Sequence, residues 1–181
     1  SDNFFTKNNF MNILMNMSSR LVIALGIAGC VITAGCDLSA GRMIGFGACI
    51  SGMLLQRMDY SGKFFPDMQP LNVFVVALIA MLVCAAFGTV TGFFIAYLNV
   101  PPFIATLAMM EIVYGIGLIV TNATPLGGYV EQYTNVSNGK FLGINYLIWI
   151  AIIVAAITWF IFNMTRHGKY MYAIGGNEAA A

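Results

Sequence analysis

Asp37, Ser39 and Arg42 stand close together in the stretch Gly35-Cys36-Asp37-Leu38-Ser39-Ala40-Gly41-Arg42. A carboxylate, a hydroxyl and a guanidinium at this spacing can cap a helix, pair charges or line a polar route. The flanking stretches, 21–34 and 43–55, carry no charged residue. Charges between such runs are costly in a membrane and are usually retained for function. Asp37 or Ser39 can accept from the free N–H groups of a helix starting near Ala40. Arg42 can pair with Asp37 or reach the interface, and Gly35 and Gly41 supply backbone freedom. Two readings stay open: a capped turn, or a broken helix whose polar ends line a transport route.

Glu111 is a carboxylate inside an apolar run, flanked by Met109, Met110, Ile112 and Val113. It could relay protons or line a pathway, or face a wet cavity or a neighbouring helix. His167, the only histidine, follows an apolar run and reads as interfacial or solvated. Cys30, Cys36, Cys49 and Cys84 lack metal-ligand spacing and read as small packing residues. No nucleophile elbow, phosphate loop or zinc motif is present. The chain reads as a non-enzyme without a metal site.

The elements that must hold these groups are set by composition. Of 181 residues, 60% are hydrophobic and 8% charged, against about 25% charged in ordinary soluble domains. The net charge of +1 offers no basic face for nucleic acid. The fold class is therefore all-α: a polytopic transmembrane helical bundle with about five membrane segments, including a broken or re-entrant hairpin. Residues 1–17 read as an interfacial lead-in helix capped at Asn8 or Asn9. Residues 19–56 hold two short spans, 19–34 and 41–56. Longer spans are expected over 71–97, 103–121 and 146–164, separated by loops at 57–70 and 122–145. The 71–97 span contains a GxxxG from Gly88 to Gly92, which admits a close helix neighbour. Residues 165–181 form a polar tail. There Gly175-Gly176 permits a turn, Asn177 is a good N-cap, and Glu178, Ala179 and Ala180 begin a helix. The loop cations divide too evenly to orient the bundle.

Three separated stretches resemble the ribose/galactoside-type sugar ABC transporter permeases. Residues 35–42 resemble that family's GxDLSxG signature. Residues 96–107, Ala-Tyr-Leu-Asn-Val-Pro-Pro-Phe-Ile-Ala-Thr-Leu, resemble its NVxPFIxTLG stretch, and Val113-Tyr114-Gly115-Ile116 fits the continuation. Residues 165–180 are similar to its cytoplasmic TxxGkxxyAiGgNxxAA loop. Cys36 and Ala108 depart from the usual Thr and Gly, and Glu111 stands where the family has an apolar residue.

The resemblance implies a permease subunit of a binding-protein-dependent importer in the bacterial inner (cytoplasmic) membrane. The cargo would be a monosaccharide, of galactose/methyl-galactoside or ribose type, moved by ATP-driven alternating access. The implied partners are a second permease copy, an ATPase subunit carrying ATP and Mg, and an extracytoplasmic sugar-binding protein. Asp37, Ser39, Gly41 and Arg42 would shape a gate or broken helix, and a coupling helix beginning at Asn177, with Gly175 to Ala180, would contact the ATPase. Residues 99–102 would then be cytoplasmic, with 57–70 and 122–145 outside. A further span before residue 1 and a second half after 181 are expected. The alternative is a proton-coupled secondary transporter using Glu111.

Overall fold

The computed structural model describes residues 5–177. It contains α1 (Lys7–Ile32), α2 (Ala40–Leu54), α3 (Val73–Leu98), α4 (Pro102–Thr121), α5 (Glu131–Asn138), α6 (Tyr146–Met164) and α7 (Arg166–Gly176). A two-residue hairpin, β1 (Lys140–Phe141) with β2 (Ile144–Asn145), interrupts them. Helices α1, α3, α4 and α6 are long and apolar enough to cross a membrane, and α2 is a shorter apolar helix. The protein is an all-α multi-pass membrane protein.

The chain divides into two compact units. In the first, α1 packs along α6, and α7 lies against both. The lead-in expected over 1–17 and the span expected over 19–34 are not separate elements: a single helix runs continuously across Lys7–Ile32, and residues 1–4 of the expected lead-in lie outside the described residues. Its cap is Thr6, not Asn8 or Asn9; the Thr6 hydroxyl oxygen accepts from the Asn9 N–H at 3.3 Å. No proline interrupts the run. Ser18 folds its hydroxyl back onto the Leu14 carbonyl at 2.7 Å, so its polarity is absorbed within the helix.

The tail expected after 165 is also helical. Thr165 turns extended, accepts from the Gly168 N–H at 3.4 Å and starts α7. Helix α7 runs through Gly175 and Gly176, so the glycine pair makes no turn there. Asn177 is its C-cap, donating its N–H to the Ala173 carbonyl at 3.0 Å. Glu178, Ala179 and Ala180 lie outside the described residues.

In the second unit α2 packs between α3 and α4. Helix α3 runs antiparallel to α2: Leu71 donates its N–H to the Leu54 carbonyl, and Cys84 lies against Met43. Helix α4 runs parallel to α2, with Cys36 beside Thr106, Phe46 beside Gly117 and Gly52 beside Leu126. The shared core is Phe46, Ile50, Ala80, Met109 and Val113. Phe46 meets Phe87 edge-on at 5.6 Å between ring centroids. Lipid is as apolar as these side chains, so close packing rather than water exclusion holds the helices together. Gly47 lies opposite Cys84, where a Cβ would make ordinary contact with Sγ at 3.5 Å.

Gln56 closes the end of this unit. It is 1% exposed. Its amide donates to the Gly127 carbonyl at 3.1 Å, and its carbonyl accepts from the Phe64 N–H at 2.7 Å. Arg57 N–H to Gly128 and Val130 N–H to Leu55 complete the clasp between the two loops. Burial pushes the Tyr129 hydroxyl above its usual range, with Tyr133, Cys49 and Tyr60 adding to it. Its O–H donates to the Leu126 carbonyl at 2.9 Å.

Replacing Gln56 with Leu leaves the Phe64 N–H and the Gly127 carbonyl without these partners. Stability should fall by about 1–3 kcal/mol, read by thermal unfolding in detergent. A Gln56→Leu protein as stable as the parent contradicts the clasp.

Candidate functional site

Helix α1 ends before the polar stretch in a tight cap. Ala34 takes a left-handed φ of 57°, and the Gly35 N–H returns to the Cys30 carbonyl at 2.8 Å. Thr33 donates its hydroxyl to Gly29 and Cys30 carbonyls at 3.2 and 3.1 Å. The strained residue is therefore Ala34. Neither Gly35 nor Gly41 has a positive φ, and Gly41 is simply helical, with open space around it.

Beyond this cap, Asp37 folds the chain into α2. Its Oδ1 accepts from the Ser39 N–H at 2.8 Å and from the Ser39 hydroxyl at 2.7 Å. Ser39 is buried and is the N-cap of α2, yet it makes no side-chain capping bond to the helix. Asp37 thus locks the residue that precedes the helix, rather than reaching its first free N–H groups. The carboxylate still lies at the positive end of α2, where anionic charge is favoured.

The second support comes from α4. Thr106 is buried and donates to the Pro102 carbonyl at 2.8 Å, within reach of the Cys36 carbonyl at 3.4 Å. At 1.5 Å per residue, Thr106 lies about 6 Å inside the Pro102 end of α4. The turn at Cys36 therefore lies about one helical turn inside the Pro102 end of α4, and α2, which begins at Ala40, starts deeper still, with Phe46 already beside Gly117. The 15 residues of α2 reach about 22 Å, short of the roughly 30 Å hydrocarbon core. Irregular backbone at such depth requires protein or water around it.

Arg42 does not pair with Asp37. Its guanidinium lies over the Tyr114 ring, 4.0 Å from the centroid, and the single ion pair among the described residues is Arg57 with Asp59. Asp37 and Ser39 are thus brought together, while Arg42 is turned to α4. Glu111 is exposed halfway along α4. Among the described residues no cluster of His, Cys, Asp and Glu could hold a metal ion. Thr106 and Tyr114 escape a reading based on charges; the signal for each is a polar atom inside an apolar helical run.

In the other unit, α7 presses on the last turn of α1. A Cβ on Gly29 would meet Met171 Cε at 3.0 Å, and one on Gly175 would overlap the Ile32 carbonyl. Gly168 likewise sits against the Phe162 carbonyl. Gly176 has open space around it.

Removing the carboxylate with Asp37→Ala should cost about 1–2 kcal/mol, whereas Asp37→Asn, which keeps an acceptor, should cost less. Thermal unfolding of the two variants in detergent checks this. Equal losses would mean that the bonds to Ser39 do not organise the turn.

A family model described as branched-chain amino acid transport system / permease component matches residues 9–181. The galactose/methyl galactoside import permease protein MglC of Escherichia coli (strain K12) is 42% identical over 98% of this chain and 55% of its own length. The protein of the same name from Haemophilus influenzae is 43% identical over the same shares. The ribose import permease protein RbsC of Escherichia coli (strain K12) is 34% identical over 99% of this chain and 54% of its own. The chain spans about half the length of these relatives. No solved structure matches it.

Proposed function

This chain belongs to the family of branched-chain amino acid transport system / permease components, and from that premise we propose that it forms part of the membrane subunit of a binding-protein-dependent ABC importer. The cargo is a monosaccharide of galactose/methyl-galactoside or ribose type, carried into the cytoplasm across the bacterial inner membrane. The relatives' names support the cargo class, with galactose/methyl galactoside permeases at 42–43% identity and a ribose permease at 34%.

The observation that carries the reading is the polar turn at Cys36–Ser39, set inside a helical membrane bundle beside Thr106. A short helix that starts below the surface leaves polar backbone facing a cavity, the usual construction of a transport route. Asp37 and Ser39 shape that break, and Gly41 and Arg42 form the first turn after it. ATP hydrolysis belongs to a separate ATPase subunit with its own Mg. A second permease copy completes the route, and an extracytoplasmic binding protein delivers the sugar to the outer loops.

Coupling is proposed to enter through α7. Gly175, Gly176 and Asn177, with Glu178, Ala179 and Ala180, make the segment that meets the ATPase. Gly175 lies directly against Ile32, near the end of α1, and the chain runs from there into the break. A push on α7 therefore reaches the last turn of α1 through backbone contact, with no flexible side chain between to absorb it.

The test is uptake of labelled galactose and ribose by the complete permease, reconstituted with its ATPase and binding protein. Uptake should require ATP. Uptake by the permease without ATP, driven by a proton gradient, would instead favour the Glu111 carrier. Gly175→Ala should lower uptake and should cost about 1–3 kcal/mol of stability by overpacking, while Gly176→Ala should leave stability unchanged or slightly raised. Equal stability of the two variants would remove the Gly175 backbone contact from the coupling route.

A further inference from the structure

A groove of about 230 Å³ runs between α2 and α4, lined by Arg42, Phe46, Cys49, Tyr114, Leu118 and Thr121 among others. Its walls are largely carbon. At the end nearer the start of α2, the Arg42 guanidinium covers Tyr114. Glu111 precedes Tyr114 by three residues, so the two are neighbours on the surface of α4. One strip of α4 therefore presents a phenol ring and a carboxylate, and Arg42 of α2 brings a cation over the ring.

The strip lies deep. Glu111 is about 14 Å from the Pro102 end of α4 and about 15 Å from the Thr121 end, at 1.5 Å per residue. Arg42, Tyr114 and Glu111 are all exposed in this chain. Neither Arg42 nor Glu111 has an ion-pair partner among the described residues. Charged side chains at this depth face a bundle interior or a water-filled cavity rather than lipid.

We propose that Arg42, Tyr114 and Glu111 form a transit site for a neutral polyhydroxylated substrate, a monosaccharide, at the mouth of the α2–α4 groove. The assignment rests on the transport reading above and names the residues the sugar touches. A sugar has an apolar C–H face and a rim of hydroxyls. The Tyr114 ring matches the face, the Glu111 carboxylate accepts from hydroxyls, and the Arg42 guanidinium donates to them. One positive and one negative group leave the wall without net charge, which suits a neutral cargo and would hold an ionic one too firmly or repel it. A transport site must also release what it binds. The guanidinium covers the ring surface that the sugar would stack on, so loading exchanges one contact for another and affinity stays low.

The experiment uses the complete permease, reconstituted with its ATPase and binding protein, with Cys30, Cys36, Cys49 and Cys84 replaced by Ser. A membrane-impermeant cationic thiol reagent should label Glu111→Cys, and galactose or ribose, whichever the importer carries, should slow the labelling. Leu118→Cys, farther along the same strip, gives an independent reading if the first variant fails to assemble. With the native cysteines present, Tyr114→Leu should raise the uptake KM roughly 3- to 10-fold, the loss of one aromatic contact, and Tyr114→Phe should restore most of it. Absence of ATP-dependent uptake by the unaltered importer would overturn the transport reading and the site with it. Normal uptake combined with unlabelled or unprotected thiols would overturn the site alone.

Discussion

A backbone N–H or C=O inside a bilayer must find a partner within the protein or in enclosed water. That constraint governs the stretch where α1 gives way to α2. Before α2 the chain passes Thr106, about a turn inside the Pro102 end of α4, in a stretch without regular helical bonds. Several of the polar groups there are met locally. Gly35 returns its N–H to Cys30, Asp37 holds the Ser39 N–H and hydroxyl, and Thr106 approaches the Cys36 carbonyl. The turn is a small polar assembly held among apolar helices, and it explains why an Asp and a Ser persist between two uncharged runs.

The same constraint makes backbone proximity the means of helix contact. Where lipid offers no hydrophobic gain, helices adhere by fitting closely. Gly47 against Cys84, Gly52 against Leu126 and Gly29 against Met171 are contacts of this kind. Gly168 and Gly175 go further, meeting carbonyls of Phe162 and Ile32 with no room for a side chain. Rigid contact of that sort passes displacement efficiently, because backbone cannot yield by changing rotamer. A coupling segment built on α7 would use this property.

The three long apolar helices α3, α4 and α6 and the shorter α2 were legible from length and hydropathy, because a span needs about 20 apolar residues and this chain supplies such runs. Asp37 and Ser39 stood out for the cost of their polarity. The continuity of α1 was not legible: the Asn and Ser residues of its first half mark off a separate interfacial lead-in helix, yet Ser18 folds back onto its own helix. The pair Gly175-Gly176 reads as a turn by propensity, but tertiary contact needs Gly175 inside a helix. Left-handed Ala34 defied expectation in the same way, since a neighbouring glycine was the natural candidate. Thr106 and Tyr114 show the limit of reading by charge. Their roles depend on which helix lies opposite, and periodicity along a single run does not reveal that.

The native Cys36 offers the most direct test of the broken turn as part of a moving transport route. It is exposed within that turn, beside Thr106. Its modification by a small polar thiol reagent can be followed by mass spectrometry in the assembled complex, without nucleotide and with ATP trapped. A turn that borders a water-filled route of alternating access predicts that Cys36 reacts and that its rate changes between the two states. A Cys36 that is inert in both states, or reacts equally in both, would contradict it.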